Sequence, residues 1–172
     1  MHVHSYNLMQ EFVEEFLDRE QTLKILDVGS RDVTGGIRGP QHKVPQCYNP
    51  IFENASWTYT GVDIEAGANV DVVAPGLYAW GVPDEEFDVV ISGQTLEHVK
   101  NTHKFMEAIA NATKPKGIVC IIAPWKWPQH RFPIDCWRIL PDGMTFLLEE
   151  ISNLSVVKVW KANDDCIGIA RK

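Results

Sequence analysis

The stretch Leu23 to Asp32, LKILDVGSRD, most constrains what this chain can fold into. Leu23, Ile25, Leu26 and Val28 make a short run that is apolar on both alternating sets of positions. That density predicts a strand buried on both faces, as in a parallel sheet. Strands of this kind carry ligands beyond their carboxyl ends. Gly29 stands at that end, and with no Cβ it lets the backbone approach a ligand closely. Asp27 sits beside the turn as an acceptor.

The same pattern recurs along the chain. Trp57 to Val62 reads as a second strand ending on Asp63, and Val70 to Val73 as a short third. Phe87 to Ile91 is a fourth, leaving through Ser92-Gly93-Gln94, and Ile118 to Ala123 is a fifth. Leu154 to Trp160 and Cys166 to Ala170 alternate around Asn163-Asp164-Asp165, a hairpin turn signal. Helical spacing covers Met9, Phe12, Val13, Phe16 and Leu17, giving an N-terminal helix within residues 1–20. It returns at Phe105, Met106 and Ile109, after a cap at Asn101 or Thr102 and before a stop at KPKG, and again at Met144, Leu147, Leu148 and Ile151. Strands alternating with helices, then a hairpin, define an α/β sheet that is mostly parallel with one antiparallel strand at its end. At 172 residues, one domain spanning 1–172 is expected.

Composition narrows the partners. A net charge of −7 argues against nucleic acid, whose phosphates call for a basic patch. No apolar run approaches the roughly 18 residues of a membrane helix, and the acidic N-terminus lacks a signal-peptide pattern. A cytoplasmic protein without membrane insertion is the expectation. Cys47, Cys120, Cys136 and Cys166 are scattered, which fits reduced thiols better than a disulfide frame or a zinc site.

Two segments stand outside the strand–helix pattern. Residues 35–56, rich in glycine and proline, are long for a connection and read as a lid loop, with Tyr48, Ile51 and Phe52 able to fold back over the body. Residues 124–143, PWKWPQHRFPIDCWRILPDG, combine four prolines with three tryptophans, His130, Asp135 and Arg138. Prolines set the path of such a loop and aromatic rings give it a surface.

In this order LKILDVG, TYTGVDIE, FDVVISGQTLEHV, KPKG and IIAP resemble class I S-adenosylmethionine-dependent methyltransferases, most closely small proteins of the methyltransferase type 11 kind. The resemblance covers nearly the whole chain. It implies a Rossmann-like methyltransferase fold: a mostly parallel seven-stranded sheet with an antiparallel terminal strand and helices on both faces. It also implies S-adenosyl-L-methionine as cofactor. Gly29, Ser30 and Arg31 would meet its methionine end, Asp27 its ammonium, and Asp63 its ribose hydroxyls. Ile64 would lie against the adenine, with Gly93 and Gln94 lining the other side. The first loop departs from the family's D-x-G-x-G-x-G, keeping one glycine of three. Arg31 there either binds the cofactor carboxylate or fills the site. The P-x-H-x-x-P-x-D-C-W-R run after the fifth strand resembles a subgroup in which that segment lines the substrate pocket.

Methyl transfer asks the protein mainly to align the acceptor and shield the site, with a base only for an acceptor of high pKa. His130 and Asp135 are the first candidates for that base and His98 the second. Trp125 and Trp127 are candidate pocket walls, and Arg138 a candidate partner for an anionic group. An internal Asp135–Arg138 ion pair that fixes the loop is the structural alternative. The fourth strand's exit lacks N-P-P-[YFW], which argues against DNA-base amines. A small-molecule, sugar or lipid-linked acceptor fits better, and the pocket is expected to come from loops or from the second subunit of a homodimer.

Three rivals are weaker. A nicotinamide-binding protein needs G-x-G-x-x-G and an acid roughly 20 residues on, whereas Asp63 lies 34 residues after Gly29. A non-catalytic binding or scaffold protein on the same fold is favoured only by the poor glycine loop. A metal hydrolase built on Glu97, His98, His103 and His130 would place His98 and His103 five apart on a helix, off one face, so no metal ligands are expected.

Overall fold

The computed structural model describes residues 3–33 and 46–172. Seven strands form one sheet: β1 (Leu23–Val28), β2 (Trp57–Asp63), β3 (Val72–Val73), β4 (Phe87–Gly93), β5 (Thr113–Pro124), β6 (Ser155–Ala162) and β7 (Asp165–Arg171). Their spatial order is β3-β2-β1-β4-β5-β7-β6. The first five pair in parallel, while β7 runs antiparallel to both β5 and β6. The chain builds outward from β1 in one direction through β3, then crosses to β4 on the other side. That reversal opens a crevice beyond the carboxyl ends of β1 and β4.

Side chains alternate across a strand, and here they feed two cores. Ile25, Val89 and Ile91 join one cluster, in which α1 (Val3–Phe16) buries Leu8, Met9, Phe12 and Val13. Leu26, Val28 and Val90 join the other, covered by Phe105, Met106 and Ile109 of α2 (Thr102–Ala112) and by Met144 of α3 (Pro141–Phe146). Each such side chain contributes about 1.5–3 kcal/mol when fully buried, so both faces of the sheet are held by apolar packing. Asn101 caps α2, its side chain accepting from the Lys104 amide at 3.0 Å.

Several boundaries differ from the sequence reading. α1 ends at Phe16 rather than near residue 20, because Asp18 turns the chain by accepting from the Glu20 amide. β5 begins at Thr113, ahead of the expected Ile118, and a register shift opposite Phe87–Val89 absorbs Lys114 to Gly117. The third helix divides into α3 and a π turn over Leu147–Ile151, where the Ser152 amide reaches back to Leu147. Of the expected lid, residues 35–45 lie outside the described residues. Its remainder packs inward: Ile51 and Phe52 join the α1 core, and the Tyr48 hydroxyl meets Ser5 Oγ at 2.5 Å. No helix among the described residues is long and apolar enough to cross a membrane.

Candidate active site

Asp27, next to last in β1, is almost completely buried, at 2% exposure. Parallel pairing sets Ile25 opposite Tyr59 on β2, and the Tyr59 hydroxyl donates to Asp27 Oδ2. Burial pushes the Asp27 carboxyl up to about 7, against the pull of that hydrogen bond. Gly29 takes φ +82°, and a Cβ there would lie 2.1 Å from Thr95 Oγ1. The room left by its missing side chain is therefore taken by Thr95 rather than kept for a ligand. The Gly29 and Ser30 amides both donate to the Val62 carbonyl, and the Ser30 hydroxyl donates to the Asn69 carbonyl at 2.8 Å.

Asp63 closes β2 facing the same crevice. Its Oδ1 accepts from the Glu65 amide at 3.1 Å and its Oδ2 from the Arg31 amide at 3.3 Å. The Arg31 guanidinium lies alongside, Nε 3.9 Å from Asp63 Oδ1 and Nη1 2.6 Å from Glu65 Oε2. Arg31 thus bridges the two turns that follow β1 and β2, and Ile64 between them is exposed.

At the exit of β4, Ser92 Oγ donates to the Val28 carbonyl and ties β4 to β1. Gly93 gives up its Cβ space to Tyr48, as Gly29 does to Thr95. Gln94, at φ +58°, donates from Nε2 to Asp165 Oδ1 at 2.9 Å, fastening this turn to the start of β7. The next turn, Leu96–His98, buries Glu97 completely, and neither carboxyl oxygen has a hydrogen-bond partner among the described residues. Burial pushes that carboxyl up to about 8. The Glu97 carbonyl accepts from the Cys136 and Trp137 amides, so the loop after β5 hangs from it. His98 Nδ1 lies 2.5 Å from the Ile134 carbonyl. A carbonyl only accepts, so Nδ1 carries the proton and Nε2 keeps a lone pair. Burial lowers the His98 pKa, which favours this neutral form.

The loop over residues 124–143 is organised by Arg138. Its guanidinium grips Asp135 through two bonds, at 2.7 and 2.8 Å, and donates to the carbonyls of Trp127, Pro128 and Trp137. The Asp135 carboxylate is held well below its usual range, first by Arg138, and its Oδ2 also accepts from the His130 amide at 2.7 Å. This is the internal ion pair, and it occupies both groups within the loop. Trp125 points away from the crevice: its indole donates to the Asn163 carbonyl, and Lys161 lies 4.1 Å from its ring centroid. Trp127, His130 and Phe132 face the crevice instead.

One cavity of about 740 Å³ joins these parts. Asp27, Asp63 and Gly93 border one end, with Ile64, Arg31 and Gln94 near them. Tyr78, Trp80 and Phe105 line a wall, and His98, Trp127, His130 and Phe132 border the far end. Asp135, Arg138 and Trp125 lie outside its lining. Sequence reasoning missed Tyr59 and Thr95, which touch Asp27 and Gly29 only across strands. It rejected a metal set on helical spacing. Glu97 and His98 instead share a tight turn, and His130 arrives from another loop, bringing donor atoms of all three within 4.8 Å of one another. His103 stays apart on α2, against Phe146.

A cavity at the sheet's reversal point, with a carboxylate at the carboxyl end of each of two adjacent parallel strands and an antiparallel last strand, defines a Rossmann-like domain for a nucleoside cofactor. The methyltransferase domain family matches residues 1–140, and the chain belongs to that family. The chain resembles a SAM-dependent methyltransferase from Aquifex aeolicus at 17% identity and TM-score 0.60, covering 99% of this chain and 98% of that one. It also resembles the 1,6-didemethyltoxoflavin-N1-methyltransferase of Burkholderia thailandensis, solved with 1,6-didemethyltoxoflavin and S-adenosylhomocysteine bound. There the identity is 14% and the TM-score 0.68, over 98% of this chain and 78% of that one. The [4+2]-cyclase SpnF is similar as well, at 15% identity and TM-score 0.68, over 97% of this chain and 80% of that one. At such identities the likeness is one of fold: that of class I S-adenosylmethionine-dependent methyltransferases. No curated protein sequence matches the chain significantly.

Proposed function

We propose that this methyltransferase moves a methyl group from S-adenosylmethionine to a small-molecule acceptor, a sugar or lipid-linked intermediate being within that class. The continuous cavity from Asp27 and Asp63 to His98 and His130 carries this reading. Its volume suits a cofactor beside a modest acceptor.

The residues present fit a cationic nucleoside. Each Asp63 oxygen accepts one backbone amide and keeps a further lone pair, which suits a ribose diol. Asp27 is buried against a neutral phenol, so an ammonium group would supply the countercharge it lacks. Gly29, Ser30 and Arg31 border the methionine end, Ile64 offers an apolar surface to the base, and Gly93 with Gln94 closes the other side. When bound, the cofactor supplies a methyl group on a sulfonium, which leaves alignment and exclusion of water to the protein.

At the acceptor end, Trp127 and Phe132 offer apolar contact, and the Nε2 lone pairs of His98 and His130, when no ion takes them up, are the groups able to meet an acceptor proton. Asp135 and Arg138 serve as positioning residues for the loop that bears His130. One observation favours the rival, a non-catalytic binding or scaffold module that has lost its cofactor: Arg31 lies beside Asp63 and is paired with Glu65. Calorimetric titration with S-adenosylmethionine and S-adenosylhomocysteine, with a nicotinamide dinucleotide as control, separates the two. Micromolar binding of the sulfur nucleosides alone is expected; no binding would leave the binding-module reading.

A further inference from the structure

We propose that Glu97, His98 and His130 bind one divalent first-row metal ion at the acceptor end of the cavity; its part in the reaction rests on the reading above, but its binding does not. Three independent observations converge on it.

The donors are already gathered. His98 Nε2 lies 3.6 Å from Glu97 Oε1, and His130 Nε2 lies 4.0 Å from the same oxygen. Around an ion with bonds of about 2.0–2.2 Å, neighbouring donors stand roughly 3.0–3.5 Å apart. A small inward shift of His130, which rides on a loop, closes the difference.

Both imidazoles are oriented as ligands. The Ile134 carbonyl behind His98 fixes the proton on Nδ1 and turns Nε2 toward Glu97. Behind His130, the Pro128 carbonyl lies 3.3 Å and Asp135 Oδ2 3.6 Å from Nδ1. A carbonyl or carboxylate on the rear nitrogen is the usual companion of a metal-bound histidine. Arg138 holds Asp135 in place for that purpose.

The third observation is the unanswered acid. Glu97 is fully buried and both its oxygens lack hydrogen-bond partners among the described residues. Polar oxygens buried without partners carry a desolvation cost, and a divalent ion bound by them offsets it. Two imidazole nitrogens with one carboxylate suit Zn2+, Mn2+, Fe2+ or Co2+ better than Mg2+ or Ca2+, which favour all-oxygen sites. Three protein ligands leave coordination positions open. His98 and His130 line the cavity, so an oxygen-bearing acceptor is the class of ligand those positions would take.

The test uses the full chain after chelator treatment. CoCl2 is titrated while visible ligand-field absorption is followed, and ZnCl2 and MnCl2 are titrated by calorimetry. The expected result is saturation at one ion per chain with a Co2+ spectrum showing nitrogen ligation. His130→Ala and Glu97→Gln each lower affinity by more than about tenfold, while His103→Ala leaves it unchanged. Should Glu97→Gln fail to fold, His130→Ala on its surface loop still decides. Absence of saturable binding by the wild-type chain overturns the proposal, as does undiminished binding by folded His130→Ala. S-adenosylmethionine affinity, measured on the same metal-free protein, reports separately on the methyltransferase reading.

Discussion

The hydroxyl of Tyr48 occupies the place where a side chain on Gly93 would begin: a Cβ built on Gly93 would lie 2.1 Å from that oxygen. Tyr48 is 3% exposed and bonded to Ser5 of α1, so it has no free space to retreat into. Gly93→Ala is therefore expected to destabilise the fold by about 1–3 kcal/mol, the usual cost of overpacking a filled interior. Urea unfolding checks this; an unchanged midpoint would mean that Tyr48 moves freely.

Asp63→Ala removes the acceptors proposed for the ribose and leaves two backbone amides without them, while the Arg31 guanidinium beside it keeps Glu65. Cofactor affinity should fall about 10- to 100-fold, the worth of about 1.5–3 kcal/mol of hydrogen bonds to a charged acceptor. The unfolding midpoint should barely move. Paired calorimetry and denaturation read both quantities, and retained affinity sinks the ribose assignment.

Asp27 sets a pH dependence of stability. Its folded pKa of about 7 lies above the ordinary carboxylate value because of burial. The folded state holds the proton more tightly than the unfolded chain, so this contribution is full below about pH 4 and is lost as the pH rises toward 7. The loss is on the order of 4 kcal/mol at most. Asp27→Asn, a neutral isostere, should gain stability relative to wild type from pH 5 to pH 8. Comparing the two proteins at each pH cancels other titrating groups, and parallel curves would refute the effect.

The same carboxyl should ionise when a cofactor ammonium arrives. Near pH 6.5, below the folded Asp27 pKa of about 7, S-adenosylmethionine binding should then release a fraction of a proton. Calorimetric enthalpies in buffers of different ionisation heat measure that release. Asp27→Asn should abolish it.

Arg138→Lys keeps the charge but loses the planar fork that grips Asp135 and three carbonyls. A loss of about 1–3 kcal/mol is expected, tempered by the partial exposure of Arg138. The loop over residues 124–143 should become more open to limited proteolysis, with cuts near Arg131 and Lys126. An unaltered digestion pattern would mean that the prolines alone hold the loop.

The elements legible in the sequence were those whose signal is local. Apolar density marked the parallel strands, and alternation around the Asn163-Asp164 turn marked the final hairpin at its place between β6 and β7. What escaped was decided by neighbours. The early start of β5 depends on pairing with Phe87, and the π turn after α3 depends on a reach from Ser152 to Leu147. Among the site residues, Asp27 and Asp63 were readable because they end strands. Of the paired tryptophans, Trp127 lines the cavity and Trp125 packs on the hairpin. Both follow the same strand, and only the course of the proline-rich loop separates them.

By itself the sequence determined a mostly parallel sheet, its hairpin end and the strand termini on which acids face a crevice, because periodicity and turn chemistry act over a few neighbouring residues. The tertiary structure alone decided that Gly29 and Gly93 make room for Thr95 and Tyr48, that Asp27 shares a proton donor with β2, and that Glu97, His98 and His130 converge. Each of those relations joins segments far apart in the chain. Their distances are set by sheet register and close packing, which no local pattern of residues encodes.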